Sequence, residues 1–132
     1  NLFYLNNLKS LKQVGLIDFQ DAVIGSPLYD LVSLLEDVRR PIKRNLQKKL
    51  FEFYIKAANL NAQDAEREMR FFSIQRNLKI LGIFQRLSIR DKKDSYLKYL
   101  PNAVKLLRRN LQDPFFSNLV HWLKQFKNHE LI

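Results

Sequence analysis

The chain has 132 residues with a formal net charge of +10, and hydrophobic residues make up 46% of it. This content predicts one folded domain or large lobe and argues against extended disorder. The absence of cysteine excludes a disulfide framework and a thiolate metal site. No apolar run reaches the roughly 18 residues that a membrane span needs, and no signal peptide opens the chain, so we expect a cytoplasmic protein without a membrane span.

The positive charge is spread along the whole chain. The 23 lysine and arginine residues form no tract of five or more, and aromatic residues do not alternate with them. A nucleic-acid interface typically collects basic residues in a patch and adds aromatic rings for stacking. We therefore expect lysines that solvate helix faces and no nucleic-acid partner. Phosphate binding stays open, because it needs fewer cations.

Two short strands joined by a loop are predicted at the start, in the apolar runs 1–5 and 14–19. Every later segment has helical spacing. Ser26 and Pro27 suit the N-cap and first position of a helix, and Arg39 and Arg40 suit its C-terminal end. The apolar face of this first helix is predicted to consist of Leu28, Leu31, Val32, Leu35 and Val38.

A second helix is predicted from Pro41, and a third, capped by Asn61 with Asp64, to about residue 87. Gly82 lies inside the third helix and indicates a close backbone approach. For the second helix the predicted apolar stripe is Ile42, Leu46, Leu50, Phe53, Tyr54 and Ala57. For the third it is Ala65, Met69, Phe72, Leu78, Leu81 and Phe84.

A polar turn is predicted over 88–93, then a helix over 102–111, and a last helix from Asp113 that buries Trp122. His121 and His129 lack the partners of a zinc site. The layout predicts a mostly α (α+β) chain that packs as one unit. It would consist of a hairpin over 1–25 and a helical subdomain over 26–132.

The carboxylate of Asp18 follows the second predicted strand, where the loop opens. A carboxylate on a rigid strand end suits Mg²⁺, which prefers a few fixed oxygens together with phosphate oxygens. An aspartate that caps a turn would give the same local pattern. The motif alone therefore leaves both interpretations open.

The wider pattern around Asp18 is more specific. The motif I-D-F-x-D-A is followed by G-x-P-x-Y-D-L over residues 25–31. Together they resemble the metal-binding segment and following helix of the aminoglycoside phosphotransferase/choline kinase-like family, which has a protein-kinase-like fold. The resemblance implies that Asp18 binds Mg²⁺ between the phosphates of ATP, and that Asp30 bonds back to the catalytic-loop backbone. Asp30 also suits the positive end of its helix, and Asp21 suits either a water-mediated metal contact or a turn cap.

In this family a loop of the form H-x-D-x-x-x-x-N precedes the metal-binding segment. The resemblance implies that Asn1 is the last residue of that loop and a second metal ligand. The catalytic aspartate would then lie upstream of Asn1, as would the N-terminal lobe that completes the ATP site. We therefore expect the helical C-terminal lobe of a kinase, inactive alone.

A second resemblance concerns the third predicted helix. The stretch Q-R-N-L-K-I-L-G-I-F-Q-R-L over 75–87, with R-D-x-K over 90–93, resembles bacterial kinases that phosphorylate N-acetylmuramate and N-acetylglucosamine during cell-wall recycling. It implies an amino-sugar substrate, and where that substrate is a sugar acid such as N-acetylmuramate, its carboxylate would suit Arg76, Arg86 or Arg90. Surface pairing with Glu66 or Asp91 is the alternative role for these arginines. The chain departs from that group in having Lys92 where a glycine tends to follow the aspartate.

Two other functions stay open. One is an aminoglycoside or other small-alcohol kinase, although a cationic acceptor requires an acidic pocket and the chain has 13 acidic against 23 basic residues. The other is a truncated, non-catalytic binding module, whose exposed face would hold a partner.

Overall fold

The computed structural model describes residues 2–18, 20 and 22–126. An antiparallel hairpin of β1 (Leu2–Tyr4) and β2 (Val14–Leu16) comes first, and the remaining part is helical. The helices are α1 (Leu28–Leu35), α2 (Arg44–Ala57), α3 (Ala62–Asp91), α4 (Leu100–Leu111) and α5 (Ser117–Leu123), and three 3₁₀ segments span Ser10–Gln13, Asp94–Tyr99 and Pro114–Phe116. The predicted mostly α fold with one N-terminal hairpin is confirmed. Among the described helices, none is long and apolar enough to cross a membrane.

Helix α1 begins as predicted but ends early. The Ser26 hydroxyl accepts a hydrogen bond from the Leu28 N–H at 3.1 Å, and the predicted apolar face is buried. The expected continuation to Arg39 and Arg40 is wrong. The backbone leaves the helical region at Glu36, and the Asp37 side chain then accepts a hydrogen bond from the Arg39 N–H at 2.9 Å, which forms a turn.

The rotation of α2 differs from the prediction. The helix begins at Arg44, and of the predicted stripe Leu46 is 49% and Phe53 72% exposed. The buried residue of this helix is Ile55, on the opposite side. Ile42 and Tyr54 of the predicted stripe do pack against the core. On the inner side of the helix, the Gln47 side chain donates a hydrogen bond to the Leu35 carbonyl at 2.8 Å.

Helix α3 begins and caps as predicted, since the Asn61 side chain accepts a hydrogen bond from the Asp64 N–H at 3.1 Å. It continues through the predicted turn and ends at Lys92, which has φ 56°. The expected close approach at Gly82 is wrong, because a Cβ added there would meet no heavy atom within 4 Å. Helix α3 contributes to two core clusters, one with α1 and α2 and one with α4 and the tail.

The tail differs from the prediction in what it buries. Asp113 accepts a hydrogen bond from the Phe115 N–H at 2.9 Å, so the predicted cap is present. It opens a 3₁₀ turn that buries Phe116, whereas Trp122 is 53% exposed and contacts Phe126 edge to face. In α5 the residues that pack against the core are Leu119, Val120 and Leu123, each partly buried.

Candidate functional site

Asp18 lies at the end of the hairpin, two residues beyond β2. It is exposed, and its φ is 62°, in the left-handed region that aspartate tolerates better than most residues. The Gln20 side-chain amide donates a hydrogen bond to Asp18 Oδ1 at 2.7 Å. Unusual backbone conformations of this kind cost energy and are concentrated at ligand-binding sites. The structure therefore presents this carboxylate towards solvent on a conformationally special residue.

The other two predicted metal-site residues, Asn1 and Asp21, lie outside the described residues. Within the described ranges, no group of three or more histidine or acidic residues could hold a metal ion. Mg²⁺ in nucleotide sites usually takes only one or two protein carboxylates, together with phosphate oxygens and water. Asp18 therefore fits a ligand of nucleotide-bound Mg²⁺, and among the described residues it belongs to no all-protein metal site.

The segment that follows Asp18 is fixed to the helical body where α1 begins. The Tyr54 hydroxyl of α2 donates a hydrogen bond to the Pro27 carbonyl at 2.9 Å. One residue into α1, the Tyr29 ring contacts Phe72 of α3 edge to face, with centroids 5.6 Å apart. Asp30 lies exposed in the first turn of α1, where the helix dipole favours a negative charge.

The hairpin and the segment after Asp18 expose many apolar side chains. Leu16 is 70%, Val23 89% and Ile24 106% exposed, and Phe3 is 55% exposed. Monomeric soluble proteins rarely leave such an apolar surface uncovered. This region therefore has the character of an interface.

The three candidate substrate arginines are separated along α3. Arg76 and Arg90 lie 14 residues apart, which is about 21 Å at 1.5 Å per residue. Arg90 is paired with Asp91 through an N–O distance of 2.6 Å, which is the alternative role considered for it. Arg86 is exposed. The hydrogen bond from Arg90 holds the pKa of Asp91 below its usual value, with smaller contributions from the charges of Arg90, Lys93 and Arg86.

Arg76 has the most unusual environment of the three. Its Nε is buried and has no hydrogen-bond partner within the described part of the chain. Burial acts to raise the pKa of the nearby Asp37 carboxyl, but hydrogen bonds from Arg39 and the charges of Arg39 and Arg76 hold it below its usual value.

Sequence reasoning missed a buried polar cluster where α1, α3 and α4 meet. Glu36, 4% exposed, accepts hydrogen bonds from the Ser73 hydroxyl and from Arg109. The Asn110 amide donates to Ser73 Oγ at 2.8 Å, and the Asn77 amide to the Ser73 carbonyl at 2.8 Å. The sequence pattern that could have predicted this cluster is the pair Ser73 and Asn77, two polar residues four positions apart on the inner face of α3.

Comparison with known proteins agrees with the expected family. A model of the phosphotransferase enzyme family matches residues 3–72, a region that includes Asp18 and Asp30. Several curated relatives are N-acetylmuramate/N-acetylglucosamine kinases. That of Caulobacter vibrioides is 31% identical over 127 residues, covering 96% of this chain and 35% of the relative. That of Neisseria meningitidis is 39% identical over 115 residues, covering 81% of this chain and 34% of the relative.

A third kinase of the same name, from Pseudomonas aeruginosa, is 33% identical over 110 residues and is covered to 32% of its length. The chain thus spans about a third of the length of these relatives. The family match covers more than half of the chain and includes the I-D-F-x-D-A and G-x-P-x-Y-D-L motifs on which the first resemblance was based. The chain belongs to the phosphotransferase enzyme family.

Proposed function

We propose that this chain is the helical C-terminal lobe of an ATP-dependent kinase that phosphorylates an amino sugar, N-acetylmuramate or N-acetylglucosamine, in cell-wall recycling. The observation that carries the proposal is Asp18, an exposed carboxylate with a left-handed backbone at the end of a hairpin, inside the region that the family model matches. The names of the similar kinases support the choice of acceptor. Use of ATP supports a cytoplasmic location.

Asp18 would bind Mg²⁺ together with the phosphates of ATP, and Asn1 and Asp21 are the further candidate ligands. Bound Mg²⁺ neutralises the charge that develops on the transferred phosphoryl group. Asp18 would act by fixing the position of the nucleotide, which in phosphoryl transfer accounts for most of the catalysis. Asp30 would act as a positioning residue through the backbone of the catalytic loop.

The catalytic base and the N-terminal lobe would be supplied by the part of the enzyme that the chain does not span. The exposed apolar hairpin, including Phe3 and Leu16, offers the surface on which that part would pack. The chain alone would then be inactive. For the acceptor, Arg76 and Arg86 are the candidate contacts, and Arg90 is a weaker one because it is already paired with Asp91.

The test uses the longer protein that contains this chain and an H-x-D-x-x-x-x-N loop that ends at Asn1. We expect ATP consumption with N-acetylmuramate or N-acetylglucosamine, and a loss of at least about a hundredfold in Asp18→Ala. Asp64→Ala removes an exposed carboxylate at the start of α3 and should keep full activity. Equal turnover by Asp18→Ala would remove the metal role, and turnover of an aminoglycoside in place of the amino sugars would change the acceptor.

A second candidate function is a non-catalytic binding module, which the exposed apolar hairpin favours. It predicts that the sequence before Asn1 does not contain an H-x-D motif at the spacing of the H-x-D-x-x-x-x-N loop. It also predicts no Mg²⁺-dependent nucleotide binding by the longer protein, while the hairpin surface would still bind a partner.

A further inference from the structure

Two adjoining clefts lie where α1 ends, α2 begins and α4 passes. Their volumes are about 650 and 420 Å³, within the range of small-molecule sites. The larger lies among α2, α3 and α4. Both clefts are lined by Glu36, Arg44, Gln47 and Arg109. Neither includes a residue of the hairpin or of the segment that contains Asp18.

The carboxylates of these clefts already have cationic partners. Glu36 is paired with Arg109, and Asp113 with Arg70. Arg70 is also 3.9 Å from Glu66, and Arg39 is paired with the Asp37 that lines the smaller cleft. The acidic groups are thus balanced by arginines that lie beside them.

Two cations that line these clefts, Arg44 in both and Lys105 in the smaller one, have no such balance. Arg44 is the first residue of α2 and Lys105 lies one turn before Arg109 on α4. Neither is within ion-pair distance of a carboxylate in the described part of the chain. Arg44 and Arg109 line both clefts, so the two guanidinium groups lie near each other. Burial lowers the pKa of Arg109, the Glu36 carboxylate acts to raise it, and the positive charge of Arg44 acts to lower it.

The larger cleft also offers an apolar surface. Phe51, Met69 and Pro114 line it beside the cations, together with the side-chain amides of Asn45 and Gln112. Ligand sites typically combine an apolar wall with a few polar groups that fix the orientation of the ligand. The combination here suits a molecule with an anionic head and an apolar or sugar-like body.

We propose that this cleft binds a small organic phosphomonoester. Its phosphate would bind between Arg44 and Arg109, with Lys105 contributing from the smaller cleft, and its body would lie against Phe51 and Met69. A dianion suits the site because Arg44 has no carboxylate partner among the described residues and Arg109 has guanidinium N–H donors beyond the one that it gives to Glu36, so both can form charge-assisted hydrogen bonds with it. The proposal is independent of the kinase function, since it concerns binding by the chain itself.

The test measures binding of three probes to the chain by calorimetry at constant ionic strength, with sodium chloride as the compensating salt. Phenyl phosphate has both the anionic phosphate group and an apolar ring. Inorganic phosphate has the anionic group without the ring, and phenol has the ring without the phosphate group. We expect phenyl phosphate to bind more tightly than inorganic phosphate and phenol not to bind. Absence of phenyl phosphate binding, or equal binding of phenol, would overturn the proposal.

Matched variants locate the site. Arg44→Gln should weaken phenyl phosphate binding by about tenfold or more, and Lys105→Gln by a smaller factor. Lys12→Gln removes an exposed charge from the hairpin region and should leave binding unchanged. Arg44 and Lys105 are both exposed, so the two variants should fold. If Arg44→Gln fails to fold, Lys105→Gln still tests the site. Unchanged affinity in both cleft variants would contradict the assignment.

Discussion

Arg109 of α4 forms an ion pair with Glu36 at the end of α1, although the two residues are 73 positions apart in the chain. The Glu36 side chain is 3% exposed, and the Ser73 hydroxyl of α3 donates to its second carboxylate oxygen. One carboxylate therefore joins three helices. Glu36 is also the residue at which the backbone leaves the helical region and α1 ends.

Replacing Arg109 with methionine should destabilise the chain by about 3 kcal/mol, because it leaves the Glu36 carboxylate buried without its cation. Urea unfolding monitored by far-UV circular dichroism measures the change. Lys105→Met, one turn earlier on the same helix at an exposed position, is the matched control and should change stability by less than about 0.5 kcal/mol. Equal effects of the two substitutions would show that the ion pair contributes nothing.

Replacing Gly82 with alanine should stabilise the chain by about 1 kcal/mol. Gly82 lies inside α3, its φ is not positive, and an added Cβ meets nothing within 4 Å. Thermal unfolding should show a raised midpoint. Gly25→Ala, outside the helices and equally open, is the control that lacks the helix-propensity gain. A lowered midpoint for Gly82→Ala would mean that this position contacts something else in the folded protein.

The stabilisation supplied by Asp113 should depend on pH. A hydrogen bond from the Phe115 N–H, with the charge of Arg70, holds the pKa of this carboxyl below its usual value of 3.8. Folding therefore lowers this pKa, so the stabilisation is present above the unfolded value and is lost as pH falls through the folded value. Asp113→Asn should lower the urea midpoint at about pH 7, and the difference from wild type should shrink below about pH 4. A difference that stays constant over this range would contradict the prediction.

Removal of the Tyr54 hydroxyl should cost about 1 kcal/mol. Tyr54→Phe keeps the ring but loses the hydrogen bond to the Pro27 carbonyl, which fixes the start of α1. Tyr96→Phe is the matched control, since its ring contacts Phe84 and its hydroxyl has no hydrogen bond to the described residues. If the two substitutions change the urea midpoint equally, the tie to Pro27 contributes no stability.

The elements that sequence reasoning predicted well are those set by neighbouring residues. The buried face of α1 follows from the spacing of its leucines, and the start of α3 from the Asn61 cap. The inward position of Gln47 on α2 and the burial of Glu36 depend on distant partners. Gln47 bonds to Leu35 and Glu36 to Arg109, and no local pattern encodes these pairs.

The candidate site also has features that neighbouring residues predict and features that depend on the rest of the fold. Asp18 was predicted from a short contiguous motif, and the structure adds its exposure and left-handed backbone. The arginines of α3 were grouped by their spacing on one helix. Their separation along the axis, and the partner that Arg90 finds in Asp91, depend on how far that helix continues. Its continuation to residue 91 was not predicted, because the polar residues 88–93 are typical of a turn.

The hairpin has a further consequence for how an intact enzyme would assemble. Each of its strands has three residues, and none of these is buried. A two-stranded hairpin of this size is marginally stable in water on its own. If its apolar side chains pack against the rest of the enzyme, that packing also orders the segment that carries Asp18. Nucleotide affinity and lobe assembly would then be thermodynamically linked, so that Mg²⁺–ATP strengthens the association of the lobes by the same factor by which association strengthens nucleotide binding.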